Sequence, residues 1–112
     1  MSQITTHILN TSIGKPAEGV SIILEHFLNG KWDRMANGRT NSDGRLSDLL
    51  PGDKTVNPGM YRLIFDTYGY FNNQNSKSFY PQVTIEFEIT DETHYHVPLL
   101  LNPFGYSTYR GS

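Results

Sequence analysis

Apolar residues recur at every second position along much of this chain, which is the period of strands rather than helices. The clearest stretch is Val83 to Ile89, where Val83, Ile85, Phe87 and Ile89 alternate with Thr84, Glu86 and Glu88. That pattern predicts a strand with one face on a core and the other in water. Gly59 to Tyr68 sets Tyr61, Leu63 and Phe65 against Arg62 and Asp66, with Pro58-Gly59 as punctuation before it. From Glu18 to Phe27, Val20, Ile22 and Leu24 line one face, while Ser21 and Glu25 share the other with Ile23 and Phe27. Asn29-Gly30 then supplies a hairpin dipeptide, and Trp32, Arg34 and Ala36 alternate more weakly after it. Segments 18–28 and 31–40 are therefore expected to pair antiparallel. Near the start, Ile4, Thr6 and Ile8 take one face and Thr5, His7 and Leu9 the other.

Two segments depart from the alternation. Gly69 to Ser78 carries Asn72, Asn73, Gln74 and Asn75 and reads as a loop or one short surface helix. His94 to Leu101 is apolar on both faces, with Val97, Leu99 and Leu101 on one and Pro98 and Leu100 beside His94 and His96 on the other. A sandwich strand meets the core on one face only, so the second apolar face needs another cover, and a homo-oligomer is expected. About seven or eight short strands joined at Gly, Pro, Asn and Asp point to an all-β antiparallel sandwich. No internal repeat, linker or low-complexity tract divides the chain, so residues 1–112 are expected to form a single domain.

Composition narrows the function. A chain of 112 residues is the size of one ordinary globular domain. With no cysteine there is no disulfide framework, thiolate nucleophile or cysteine-held metal. The 9 Lys and Arg against 11 Asp and Glu give a net charge of −2 and no basic block, so no nucleic acid partner is expected. No apolar run approaches the roughly 20 residues of a membrane span, and the first residues lack the charge and apolar core of a secretory signal. No membrane association is expected, and the cytoplasm is the expected location.

Four groups remain as candidates for chemistry: His7, Arg45, the His94/His96 pair, and the ending Tyr109-Arg110-Gly111-Ser112. Each has a bland reading. His7 taken alone reads first as a hydrogen-bonded structural histidine, and Arg45 after Asp43-Gly44 reads first as a solvated residue behind a turn. His94 and His96 lie on one strand face about 7 Å apart by strand rise, a spacing that metal sites use. A third ligand would have to come from His7 or His26, because zinc takes three or four donors. No Gly-x-Ser-x-Gly elbow accompanies Ser42, Ser47 or Ser107, so a serine triad has no support. Phe104 to Tyr109 reads as a last strand that would hold the tail against the sheet and deliver a terminal carboxylate to a fixed place.

Three stretches carry a resemblance: Ile4-Thr5-Thr6-His7-Ile8-Leu9-Asn10-Thr11, Gly38-Arg39-Thr40-Asn41-Ser42-Asp43-Gly44-Arg45, and the run from His96-Val97-Pro98-Leu99 to Tyr109-Arg110-Gly111-Ser112. Together they resemble the signatures of the 5-hydroxyisourate hydrolase family, the transthyretin-like enzymes of urate breakdown. The Tyr-Arg-Gly-Ser ending discriminates, because the hormone-carrying transthyretins keep the fold but lack that ending and the histidine matching His96. The resemblance implies a transthyretin-like (prealbumin-like) sandwich of about eight strands with one short helix. It also implies a homotetramer, a dimer of dimers, with active sites in the channel between dimers.

By the same resemblance, the reaction is hydrolysis of 5-hydroxyisourate to 2-oxo-4-hydroxy-4-carboxy-5-ureidoimidazoline, with no metal and no organic cofactor. Its catalytic residues are His7, Arg45, His96 and Ser112. His7, Arg45, Tyr109 and Arg110 contact the substrate. The two histidines jointly activate water and move its proton, and the planar fork of Arg45 suits the oxygens of a flat heterocycle. Ser112 orients a histidine or the water. The competing reading is a transthyretin-like carrier of a small aromatic ligand that catalyses nothing; against it stand His7, Arg45 and His96, polar groups that cost energy to desolvate unless used.

Overall fold

A computed structural model describes residues 2–112. In chain order the elements are β1 (Ile4–Asn10), β2 (Lys15–Pro16), β3 (Ser21–Leu28), β4 (Lys31–Arg39), β5 (Arg45–Leu46), β6 (Gly59–Phe65), α1 (Thr67–Asn73), β7 (Val83–Ile89), β8 (Tyr95–Asn102) and β9 (Gly105–Thr108). One sheet has the order β2-β1-β8-β9, with β5 also pairing to β1, and the other has the order β4-β3-β6-β7. The inner positions of both sheets meet in one core, where Ile4, Ile8, Ile22, Leu63, Phe65 and Leu99 are fully buried. Those are the in-facing members of the alternations, so period two sets the fold here as expected. The hairpin at Asn29-Gly30 forms, both residues taking positive φ (54° and 76°), and β3 pairs antiparallel with β4.

The structure differs from the sequence reading at three places. β1 and β8 run parallel, so the first sheet is mixed rather than wholly antiparallel. Parallel neighbours need a long crossover, and here the chain between them makes the whole second sheet as well as β2 and β5. β2 and β5 are two-residue strands, too short to leave a periodic trace. The helix starts earlier than Gly69 and is not merely superficial, since Tyr70 and Phe71 are buried. Asp66 caps it by accepting the Gly69 N–H at 3.0 Å. A Cβ at Gly69 would stand 2.5 Å from the Asp66 carboxylate, so a larger residue there would make the capping side chain shift.

Candidate active site

The outer face of the β1–β8 pair carries the site. In the parallel register Thr5 stands opposite His96 and His7 opposite Pro98. On the other side of β1, His7 stands opposite Arg45 of β5. Residues far apart in sequence thus become neighbours because their strands are neighbours and their positions share parity.

Arg45 is placed by its turn. The Asn41 side-chain oxygen accepts the N–H groups of Asp43 at 2.9 Å and Arg45 at 3.0 Å. Gly44, at φ 72°, closes that turn against β1, where an added Cβ would lie 2.5 Å from the Ile8 carbonyl oxygen. The close approach draws β5 onto β1 and brings the guanidinium beside the two histidines.

His96 is gripped from two directions. Its Nδ1 lies 2.8 Å from the Thr5 hydroxyl, which also meets His94 Nε2 at 2.7 Å. Its carbonyl accepts the Gly111 N–H at 2.8 Å, so the tail beyond β9 is tied to β8, as expected of a last strand that holds the ending in place. A Cβ on Gly111 would come within 2.6 Å of His96 Cδ2, so only glycine lets the tail cross the imidazole this closely. Ser112 then reaches a cleft of about 130 Å³ that Thr5, Arg45, His94 and His96 also line.

Burial and the neighbouring Arg45 cation favour the neutral form of both imidazoles. Burial lowers the pKa of His96 below the ordinary histidine value, and the Arg45 cation, His94 and His7 push it the same way. Burial and then Arg45 lower that of His7, partly offset by a backbone hydrogen bond to Asp43 and by its carboxylate. Neutral histidines beside a permanent cation form a base next to an anion-binding group. Among the described residues, no three His, Asp or Glu side chains are grouped so as to hold a metal ion.

Within one chain the structure brings together His7, Arg45, His96 and Ser112, but not the side chains of Tyr109 and Arg110. The Arg110 guanidinium lies over the Tyr95 ring, 4.2 Å from its centroid, and donates at long range to Thr93 Oγ1 (3.4 Å) and the His94 carbonyl (3.5 Å). Both residues line a separate groove of about 280 Å³ at the sandwich edge, beside Phe87 and Val97. Thr5 was not singled out by sequence, because a threonine in a strand carries no signal until its neighbour is known. His94 was visible only as half of a possible metal pair.

The HIUase/Transthyretin family matches residues 4–111. A 5-hydroxyisourate hydrolase of Salmonella dublin is 46% identical over 110 residues, covering 97% of this chain and 80% of that protein. The structure of Klebsiella pneumoniae 5-hydroxyisourate hydrolase superposes with a TM-score of 0.86 at 38% identity, over 97% of this chain and 98% of that one. Sea bream transthyretin in complex with thyroxine superposes with a TM-score of 0.91 at 31% identity, over 98% and 95%. An enzyme and a carrier therefore share this backbone, and the fold alone does not separate them.

Proposed function

The chain belongs to the HIUase/Transthyretin family, and from its outer-face cluster we infer that it hydrolyses 5-hydroxyisourate in urate degradation, opening the six-membered ring to give 2-oxo-4-hydroxy-4-carboxy-5-ureidoimidazoline. One observation carries the choice of enzyme over carrier: the His96 imidazole and the Arg45 guanidinium line one cleft, and His7, also of lowered pKa, stands opposite Arg45 beside it. An apolar ligand would strip water from these groups without replacing its hydrogen bonds.

The chemistry follows from the side chains. A neutral imidazole takes a proton from water as the oxygen adds to the ring carbonyl, and the Arg45 fork binds the negative charge that develops on the carbonyl oxygen. The C–N bond then breaks as the proton is returned to the leaving nitrogen. His7 and His96 share this work as a coupled pair. Ser112, held at the cleft by the Gly111 hydrogen bond, orients water or a histidine.

The cleft of about 130 Å³ is shallow for a bicyclic substrate, since sites for small molecules typically span ~300 to 1,000 Å³. Its missing walls are supplied by further copies of the chain in a homotetramer. The apolar outer residues Leu9 and Leu100, only partly buried in the single chain, support that reading. Tyr109 and Arg110 contact substrate in the completed channel.

Mixing the protein with freshly generated 5-hydroxyisourate tests the function: its ultraviolet absorbance is expected to decay well above the spontaneous rate, and an unchanged decay would sink the proposal. The pH profile tests the histidines. Because the base form is required and both pKa values are lowered, kcat/KM is expected to hold down to pH values below the ordinary ~6.5 and then fall as acid protonates the pair. Arg45→Gln removes one lowering cation and should move the acid limb upward. A wild-type limb above ~6.5 would contradict the assignment.

A further inference from the structure

The roles above leave a buried hydroxyl and one imidazole of the cleft unused. Thr5 is 4% exposed, and its single Oγ1 lies between two ring nitrogens, 2.7 Å from His94 Nε2 and 2.8 Å from His96 Nδ1. A threonine hydroxyl has one proton to donate and lone pairs with which to accept. With one proton it donates to one ring at most, and where it does so the other ring donates to it, which holds the two rings in opposite roles. Building on the hydrolase reading, we propose that Thr5 and His94 are positioning residues for that reaction: the hydroxyl fixes which His96 nitrogen faces the cleft, and His94 takes up the proton that His96 passes on.

The resting arrangement has the His96 Nδ1–H donating to Thr5 Oγ1 and the Thr5 O–H donating to His94 Nε2. His96 then presents a bare Nε2 as the base. When Nε2 takes a proton from water, the Nδ1 proton moves to Thr5 and the Thr5 proton moves to His94. One water O–H bond breaks, the hydroxide oxygen bonds the ring carbonyl, His96 ends neutral and His94 becomes the cation. His96 now carries Nε2–H, the form needed to protonate the leaving nitrogen, and the return flow restores the start.

Charge placement favours this relay. Arg45 and His7 face His96 and oppose a cation there. His94 also opens onto a second groove of about 300 Å³, where Asp53 and Glu92 stand with Lys54 as the opposing charge. Arg110 meets His94 at its backbone carbonyl. The positive charge thus moves away from the guanidinium toward two carboxylates and water.

The test uses the intact protein, with wild type and variants in one 5-hydroxyisourate assay and the His96 ring read by nitrogen-15 NMR. Ligand-free wild type should show His96 protonated at Nδ1; Nε2–H with a bare Nδ1 would overturn the proposal whether or not any variant folds. Thr5→Val should lower kcat by about 10²-fold with little change in KM and shift the ring toward the other tautomer, while Thr5→Ser restores both. His94→Gln should keep the tautomer, because its amide still meets the hydroxyl, yet lower kcat by about 10-fold or more and alter the pH profile. Wild-type kcat and an unchanged pH profile in Thr5→Val or His94→Gln would overturn the relay alone. An inactive wild type would instead overturn the hydrolase reading beneath it.

Discussion

His96→Ala is expected to lower the turnover of 5-hydroxyisourate by at least about 10²-fold, a loss of roughly 2.7 kcal/mol of transition-state stabilisation, without unfolding the protein. The two halves of that expectation have separate physical grounds. Catalytically, His96 is the imidazole at which the Thr5 hydroxyl, the Arg45 charge and the tail converge. Structurally, its side chain is on the outer face, whereas Tyr95 and Val97 on either side of it point into the core. Its backbone ladder to Thr5 and Gly111 does not depend on the ring. His96→Asn keeps a polar group near the Thr5 hydroxyl but no titrating base, and it should lose as much. A thermal melt close to wild type beside a collapsed rate is the expected pair of results; a wild-type rate would remove His96 from the mechanism.

Removing Arg110 to Ser112 is expected to abolish measurable turnover while light scattering still reports a tetramer. β9 ends at Thr108, so the cut leaves every strand pair of the sheet in place. What it removes is the Gly111 hydrogen bond to His96, the Ser112 wall of the cleft and the Arg110 guanidinium stacked over Tyr95. Gly111→Ala probes the same crossing with one methyl group. It would force Cβ to within 2.6 Å of the imidazole, so either the tail lifts or the ring turns, and activity falls in both cases. An active truncated protein would show that the tail merely lies against the sheet.

The parts of the fold legible in the sequence are those where one face of a strand is wet. β7 alternates Val83, Ile85, Phe87 and Ile89 with charged or polar residues, so both its ends could be drawn from the alternation, whereas β6 starts at Gly59 as read but stops at Phe65, short of Tyr68, which belongs to α1. What stayed hidden was long-range. The parallel partnership of β1 and β8 joins Thr5 to His96 across more than 90 residues, and no local pattern encodes it. Burial of Tyr70 and Phe71 was masked by the asparagines that follow them. His7, Arg45, His96 and Ser112 were nameable because they sit in recognisable stretches. Thr5 was not, since its importance comes from standing between two nitrogens rather than from its type. Tyr109 and Arg110 line a groove at the sandwich edge in the single chain, and the substrate contact proposed for them rests on the tetramer proposed above.

The pairing of β1 with β8 also limits how this protein can change its length. Side chains alternate sides along each strand, so inserting or deleting one residue in the middle of either strand would turn His7 or His96 inward and some of Ile4, Ile8, Val97 or Leu99 outward. Such an indel would damage stability and chemistry in one event, leaving selection no intermediate to act on. Added or lost residues should accumulate in connections such as the one between α1 and β7, where neither parity nor the catalytic geometry is at stake.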